Sequence, residues 1–224
     1  IFKFNLVNFH GSRLPLDAGG GGFSWRILRE DRIDNQLVQV VDEGIDTGPI
    51  LFSEKSIFPS YCKIPADYEK FSSMKLLSFY EKFISLLSKG NKFNLHHQPD
   101  YLGRYNPRLE SKTNGWIDWN LNSHQLLRFI NAFDDPYSGA STMINNYERV
   151  YLKKVQLHGG ESTNHPFMSG IISRHDSKWI VVSTQDEDMM LIIEKVLDDK
   201  GQNIISHLKP GDRFFTPAEK LDLA

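Results

Sequence analysis

Cysteine is nearly missing from the 224-residue sequence: Cys62 stands alone. A single thiol excludes an internal disulfide and fits a reducing compartment, so a cytoplasmic location is expected. Long apolar runs are missing too. None approaches the ~20 residues that a bilayer-spanning helix requires, and no signal-peptide pattern is present. There is little excess charge: 26 Lys and Arg stand against 28 Asp and Glu, a net of −2. Nothing electrostatic therefore points to nucleic acid or an anionic membrane as partner. There is no internal repeat, and the only low-complexity segment is the glycine run Gly19–Gly22.

What is present suffices for a packed interior. Apolar residues make up 40% of the sequence and aromatic residues 12%, which excludes a disordered chain. The length suits one large or two small domains. The apolar run Ile1–Val7 reads as a buried strand and Asn8–Gly22 as a loop, broken by Gly11, Pro15 and the glycine run. A domain rarely opens inside a buried strand, so further chain is expected before Ile1. A short helix is predicted over Phe23–Arg29, and strands over Gln36–Asp42 and Ile50–Ile57. The longest helix spans Asp67–Lys89, with Met74, Leu77, Tyr80 or Glu81, Ile84 and Leu87 as its apolar stripe and Gly90-Asn91 at its end. Residues 93–112, rich in Asn, His, Pro and Gly, read as a linker between domains over 1–92 and 113–224. In the second domain a helix over Ser123–Phe133 precedes strands at Arg149–Leu157, Met168–Ser173, Trp179–Thr184 and Met189–Val196, a pattern that suits a small β-barrel or sandwich.

The chemistry concentrates in Asn8-Phe9-His10 and in Asp46, which lies within Asp42-Glu43-Gly44-Ile45-Asp46-Thr47-Gly48-Pro49-Ile50. An amide that donates to an oxyanion, an imidazole that moves protons and a carboxylate that orients it are the groups an acyl transfer to an amine needs. Taken singly, each also has an ordinary explanation: a loop cap, a surface histidine, an Asx-turn aspartate. Other residues carry less. His96-His97 point apart and have no partner at ligand spacing, so no metal is expected. The glycine run opens a helix and offers backbone N–H groups to a phosphate, but it lacks the P-loop Lys-Ser/Thr. The sequence around Cys62 does not suggest a reactive thiolate, and Asp118 reads as structural.

The sequence resembles the folate-dependent formyltransferases. The resemblance rests on Asn8-Phe9-His10-Gly11-Ser12-Arg13-Leu14-Pro15 and on Asp42–Ile50 at matching separation. Further support comes from Tyr105–Leu109 with Gly115-Trp116-Ile117-Asp118-Trp119, from Ala132–Ala140, and from Lys209-Pro210-Gly211-Asp212-Arg213-Phe214. It implies an α/β fold: the later part of a Rossmann-like catalytic domain whose earlier strands precede Ile1, followed by a small, mainly β, OB-like barrel. It implies N10-formyltetrahydrofolate as formyl donor and Asn8, His10 and Asp46 as catalytic residues. Val41, Asp42, Glu43, Gly44, Ile45 and Asp46 correspond to the loop that wraps the pterin ring; its glycines and open backbone groups suit a planar heterocycle. Gly11, Ser12 and Trp25 are the expected acceptor-side residues, although an aromatic at the position of Trp25 also suits a core.

Charge separates the branches of the family. Residues 111–224 hold 12 Lys and Arg against 15 Asp and Glu, a net of −3. A domain that grips a tRNA backbone is expected to be basic. The sequence therefore looks closest to the nucleotide-sugar N-formyltransferases of surface-polysaccharide and O-antigen synthesis, with a nucleotide-linked amino sugar as acceptor and homodimers as the expected assembly. The alternatives are a methionyl-tRNA formyltransferase, a formyltetrahydrofolate hydrolase, and a non-catalytic binding or dimerisation fragment.

Overall fold

A computed structural model of the protein describes residues 6–20, 22–145, 148–159 and 163–222. The described chain divides into two compact units. The first takes the residues up to Arg108 except Ile27–Glu30 and Ile64–Ala66; the second takes those two stretches and the chain from Leu109 onward.

The first unit is built on strands β1 (Val7–His10), β3 (Ile33–Val40) and β4 (Ile50–Ile57), in the order β1-β3-β4 and antiparallel throughout. A two-residue strand, β2 (Ala18–Gly19), precedes helix α1 (Gly22–Leu28), and helix α2 (Pro65–Ser88) follows β4. Strand β5 (Tyr105–Asn106) pairs in parallel with β2. The expected opening strand is thus displaced: Ile1–Asn5 lie outside the described residues, as does Gly21, and Asn8–His10 belong to a strand instead of a loop. The change from apolar to mixed residues at Asn8 marks a change of surroundings on one face and not the end of the strand.

Helix α2 lies where its periodicity predicts, but it buries a different face. Met74, Leu77, Tyr80, Ile84 and Leu87 are exposed, whereas Tyr68, Phe71, Phe79 and Phe83 are buried. The sheet explains the choice. Phe9 of β1 and Phe52 of β4 meet Phe79 and Phe83, with ring centroids 5.2–6.3 Å apart, and Phe93 closes the cluster. Rings bury more apolar area than aliphatic chains, and their edge-to-face pairs add to it, so the aromatic stripe takes the sheet. Losing one fully buried ring of this kind costs about 3–5 kcal/mol.

Residues 93–108, expected in a linker, are tied into the first unit. His96 exchanges two 2.9 Å backbone hydrogen bonds with Ile50, and the Trp25 indole N–H donates to the Pro107 carbonyl at 2.8 Å. Cys62 is buried; burial, and then the neighbouring Asp67 carboxylate, push its thiol above the ordinary range, away from thiolate chemistry.

The second unit contains helices α3 (Ser111–Asn114) and α4 (Ser123–Ala132), strands β6 (Ala140–Ile144), β7 (Glu148–Gly159), β8 (Ile172–His175), β9 (Ile180–Ser183), β10 (Met189–Leu197) and β11 (Phe214–Phe215), and helix α5 (Ala218–Leu221). Its sheet runs β11-β6-β7-β10-β9-β8. The two edges curl toward each other: Phe214 N–H donates to the Gly170 carbonyl and Ile172 N–H to the Asp212 carbonyl, both at 2.8 Å. This matches the barrel-like reading. Strands β6 and β11 are additions to it, and the strand expected from Met168 starts later because Pro166–Met168 form a 3₁₀ turn. Helix α4 begins with a capping box, in which Asn122 accepts from the Gln125 N–H and Gln125 accepts from the Asn122 N–H.

Several residues that carry the family resemblance turn out to hold this unit together. Trp119 stacks on Phe214 and donates to the Thr142 hydroxyl at 3.0 Å. Asp118 accepts from the Asn120 N–H at 2.9 Å, as a local turn residue. Asp134 is buried and accepts from the Lys154 N–H at 2.7 Å; the buried Lys153 ammonium lies 3.6 Å from it, bonds Asp135, and donates to the Tyr137 carbonyl at 2.7 Å. The Lys153 hydrogen bond holds the Asp135 carboxyl below the usual aspartate range.

Two outcomes follow for Lys153. Lys153→Met leaves Asp134 buried with only its backbone donors and lowers the urea unfolding free energy by about 3 kcal/mol, the low end for a broken buried pair. Because the folded Asp135 pKa is depressed, its contribution is complete above the ordinary aspartate value of about 3.9 and is lost as pH falls below it. Urea titrations should show the advantage of wild type over Lys153→Met shrinking, by the Asp135 share, below about pH 4.

Candidate functional site

The site begins with the two-residue period of β1. Side chains alternate across a strand, so Asn8 and His10 project from one face and Phe9 from the other. Phe9 enters the aromatic cluster on α2. The register with β3 pairs Asn8 with Gln39, Phe9 with Val38 and His10 with Leu37. Cross-strand partners share a face, so Gln39 joins Asn8 and His10, while Val38 joins Phe9 in the core.

The loop after β3 brings the carboxylate. Residues 41–49 fold back so that the Val40 N–H reaches the Pro49 carbonyl at 2.9 Å. Asp42 organises the turn by accepting from the Gly44 N–H at 3.1 Å and from the Thr47 hydroxyl at 2.7 Å. Two glycines are required here. A Cβ on Gly48 would sit 1.7 Å from the Val40 carbonyl oxygen, and one on Gly44 would sit 2.1 Å from the Thr47 hydroxyl. Asp46 itself adopts φ +60°, in the left-handed region that aspartate tolerates better than most residues.

This geometry sets the Asp46 carboxylate 3.8 Å from the His10 Nε2. The distance is too long for a hydrogen bond but suits an ion pair once the ring is protonated. Asn8 lines a cavity of about 410 Å³ together with Val41, Asp42, Gly44, Ile45 and Asp46. A smaller cavity of about 150 Å³, lined by Pro15, Thr47 and Gln98 among others, also has Asp46 and Ile45 in its wall. Ile45 is 81% exposed, an apolar side chain held out at the cavity mouth.

Five of the six loop residues expected to bind the donor therefore line one cavity with Asn8; Glu43 is exposed and lies outside it. The expected acceptor-side residues lie elsewhere in the first unit. The Gly11 carbonyl is 3.5 Å from the buried Arg26 guanidinium, the Ser12 carbonyl accepts from Asn35 at 3.2 Å, and the Ser12 hydroxyl donates to the Asp17 carbonyl. Trp25 donates to Pro107. None of the three lines either cavity that contains Asp46. Sequence reasoning missed Gln39 and Gln98, which both reach Asp46. Gln39 is visible once it is known to face Asn8 across the strands; no local pattern connects residue 98 to the loop. Among the described residues, no three His, Cys, Asp or Glu side chains are placed to hold a metal ion. No described helix is long and apolar enough to cross a membrane.

The chain is similar to several known proteins. Residues 110–207 match the family profile described as the formyl transferase C-terminal domain. A methionyl-tRNA formyltransferase of Nitrosospira multiformis is 27% identical over 219 residues, covering 96% of this chain and 68% of that protein. The N-formyltransferase of Helicobacter canadensis, solved with folinic acid and dTDP-3-aminofucose, superposes with a TM-score of 0.64 at 18% identity, over 84% of this chain and 65% of that one. HypX of Aquifex aeolicus, solved with tetrahydrofolic acid, gives a TM-score of 0.58 at 19% identity, over 90% of this chain and 33% of that one. The sequence thus spans about two thirds of the Nitrosospira and Helicobacter proteins and about one third of HypX. The solved structures share the fold, and residues 110–207 are similar to the C-terminal domain of formyl transferases.

Proposed function

We propose that the protein moves a formyl group from N10-formyltetrahydrofolate to the amine of a nucleotide-linked amino sugar, in surface-polysaccharide synthesis. The observation that supports this reading most is the placement of Asn8 and His10 on one face of β1, with Asp46 3.8 Å from His10 and the 41–46 loop beside them. The donor supplies an activated formyl carbon. The cavity lined by Asn8 and the loop suits it, because the Asn8 amide and an exposed Ile45 match a flat heterocycle that both hydrogen bonds and stacks.

The roles follow from the chemistry of the three side chains. The acceptor nitrogen forms a bond to the formyl carbon, and the Asn8 amide donates to the oxygen as it gains charge. His10 takes the proton that the amine loses and returns it to the donor nitrogen as the old C–N bond breaks. Asp46 is too far from His10 for a strong neutral hydrogen bond, so its attraction grows when the ring becomes a cation. An interaction that strengthens along the reaction lowers the barrier instead of merely tightening binding.

Two observations bear on the acceptor. The net charge of −3 over residues 111–224 disfavours a tRNA backbone and favours a small sugar nucleotide. The Nitrosospira relative, a methionyl-tRNA formyltransferase, is the observation that supports the second reading. As in the sugar-acceptor reading, a homodimer is the proposed assembly.

In the full-length protein, His10→Ala is expected to lower kcat by about 10²–10⁴-fold. Asn8→Ala is expected to lower it by about 10²–10³-fold. Both should leave the melting temperature within a few degrees of wild type; steady-state formyl-transfer assays and thermal melts check this, and unchanged kcat in either variant removes that residue from the mechanism. Supplying labelled formyl donor with a panel of nucleotide-linked amino sugars and with methionyl-tRNA decides the acceptor. Label is expected on a sugar amine; label on the tRNA alone assigns the second reading, and donor breakdown without any amine assigns a hydrolase.

A further inference from the structure

We infer that Gln98 is a positioning residue that clamps the Asp46 loop, an inference that rests on the formyl-transfer reading above. The side-chain amide of a glutamine has two protons to give. Gln98 gives both to this loop, donating to the Asp46 carbonyl at 2.8 Å and to the Gly48 carbonyl at 2.7 Å. These carbonyls flank Thr47 and lie 52 and 50 residues away in sequence. Both bonds are short and hold the backbone of the residue whose side chain must face His10.

The rest of the loop explains why a clamp matters. Asp42 ties the earlier part of the turn through Gly44 and the Thr47 hydroxyl. Asp46 sits at φ +60°, a conformation that a flexible loop leaves readily and that the surroundings must over-determine. Gln98 supplies that constraint from outside the loop. Its own place is fixed two residues earlier, where His96 pairs with Ile50 of β4 through two 2.9 Å hydrogen bonds. A second contact sets the carboxylate itself. The Nε2 of the buried Gln39 lies 3.5 Å from Asp46 Oδ1, which leaves Oδ2 as the oxygen nearest His10, and Gln39 Oε1 lies 3.4 Å from the Gln98 amide. One exposed edge of the first unit thereby connects to the reacting face of β1 through two amides.

A double-mutant cycle in the full-length protein tests this. Gln98→Leu is expected to speed hydrogen exchange at the loop amides 44–48 at least tenfold, leave exchange in β3 and β4 unchanged, and lower kcat at saturating donor by about 10–100-fold. In an Asp46→Asn background the same substitution should change kcat by less than threefold, since the group it positions is already gone. Gln98→Glu keeps the shape without the two donors and repeats the test should the leucine variant fail to fold. Equal losses in both backgrounds, or unchanged exchange in the loop, overturn the clamp. If Asp46→Asn alone leaves kcat unchanged, the formyl-transfer reading is what fails, and loop exchange then judges the clamp by itself.

Discussion

The alternation of β1 is the constraint on which the first unit depends. A strand with Phe9 between Asn8 and His10 must present the two polar groups together, because the ring is claimed by Phe79 and Phe83 on the other side of the sheet. Slipping the strand by one residue would turn Phe9 toward the face that now carries Asn8 and His10 and bury an amide and an imidazole among aromatic rings, and the cost of desolvating them without partners opposes it. The aromatic cluster therefore does two things at once. It joins sheet to helix, and it fixes the orientation of the groups proposed to do the chemistry.

The carboxylate is held by a different kind of constraint. Close backbone approaches and hydrogen bonds set the position of Asp46. Gly48 lies against the Val40 carbonyl, Gly44 makes room for Thr47, and Gln98 takes the two carbonyls on either side of Thr47. A rigid strand that carries two groups and a tied loop that carries the third is a workable division. The strand sets the distance between Asn8 and His10, and the loop brings the counter-charge and borders both cavities.

The second unit shows how far residue patterns can be read. The Asp-Asp-Pro-Tyr stretch and the paired tryptophans carry much of the resemblance to the formyltransferases, and their work in the structure is architectural: holding Lys153, and packing Trp119 on Phe214. Long elements were legible because their periodicity was. Strand β4 spans the expected Ile50–Ile57, and α4 begins at the expected Ser123. Short ones were not: β11 has two residues and β6 lacks a strong apolar alternation, so both exist through pairing with distant strands. The buried face of α2 was misread because the helix has two apolar stripes, and only the tertiary partner, an aromatic sheet face, selects between them. Asn8, His10 and Asp46 were singled out together through the family resemblance and its matching separation, and Asp46 does lie 3.8 Å from His10; Gln98 was invisible because its contact is a long-range hydrogen bond to backbone that no local pattern encodes.

The account stands on Asn8 and the 41–46 loop sharing one cavity, proposed here to hold the donor. Titrating the full-length, ¹⁵N-labelled protein with folinic acid, a formyl-bearing folate that does not release its group readily, tests this most directly. The account predicts saturable shifts confined to the Asn8 side-chain amide, the His10 ring and the backbone amides of the 41–46 loop. Saturable binding that leaves these signals unmoved, or shifts that map instead to the second unit, would contradict it.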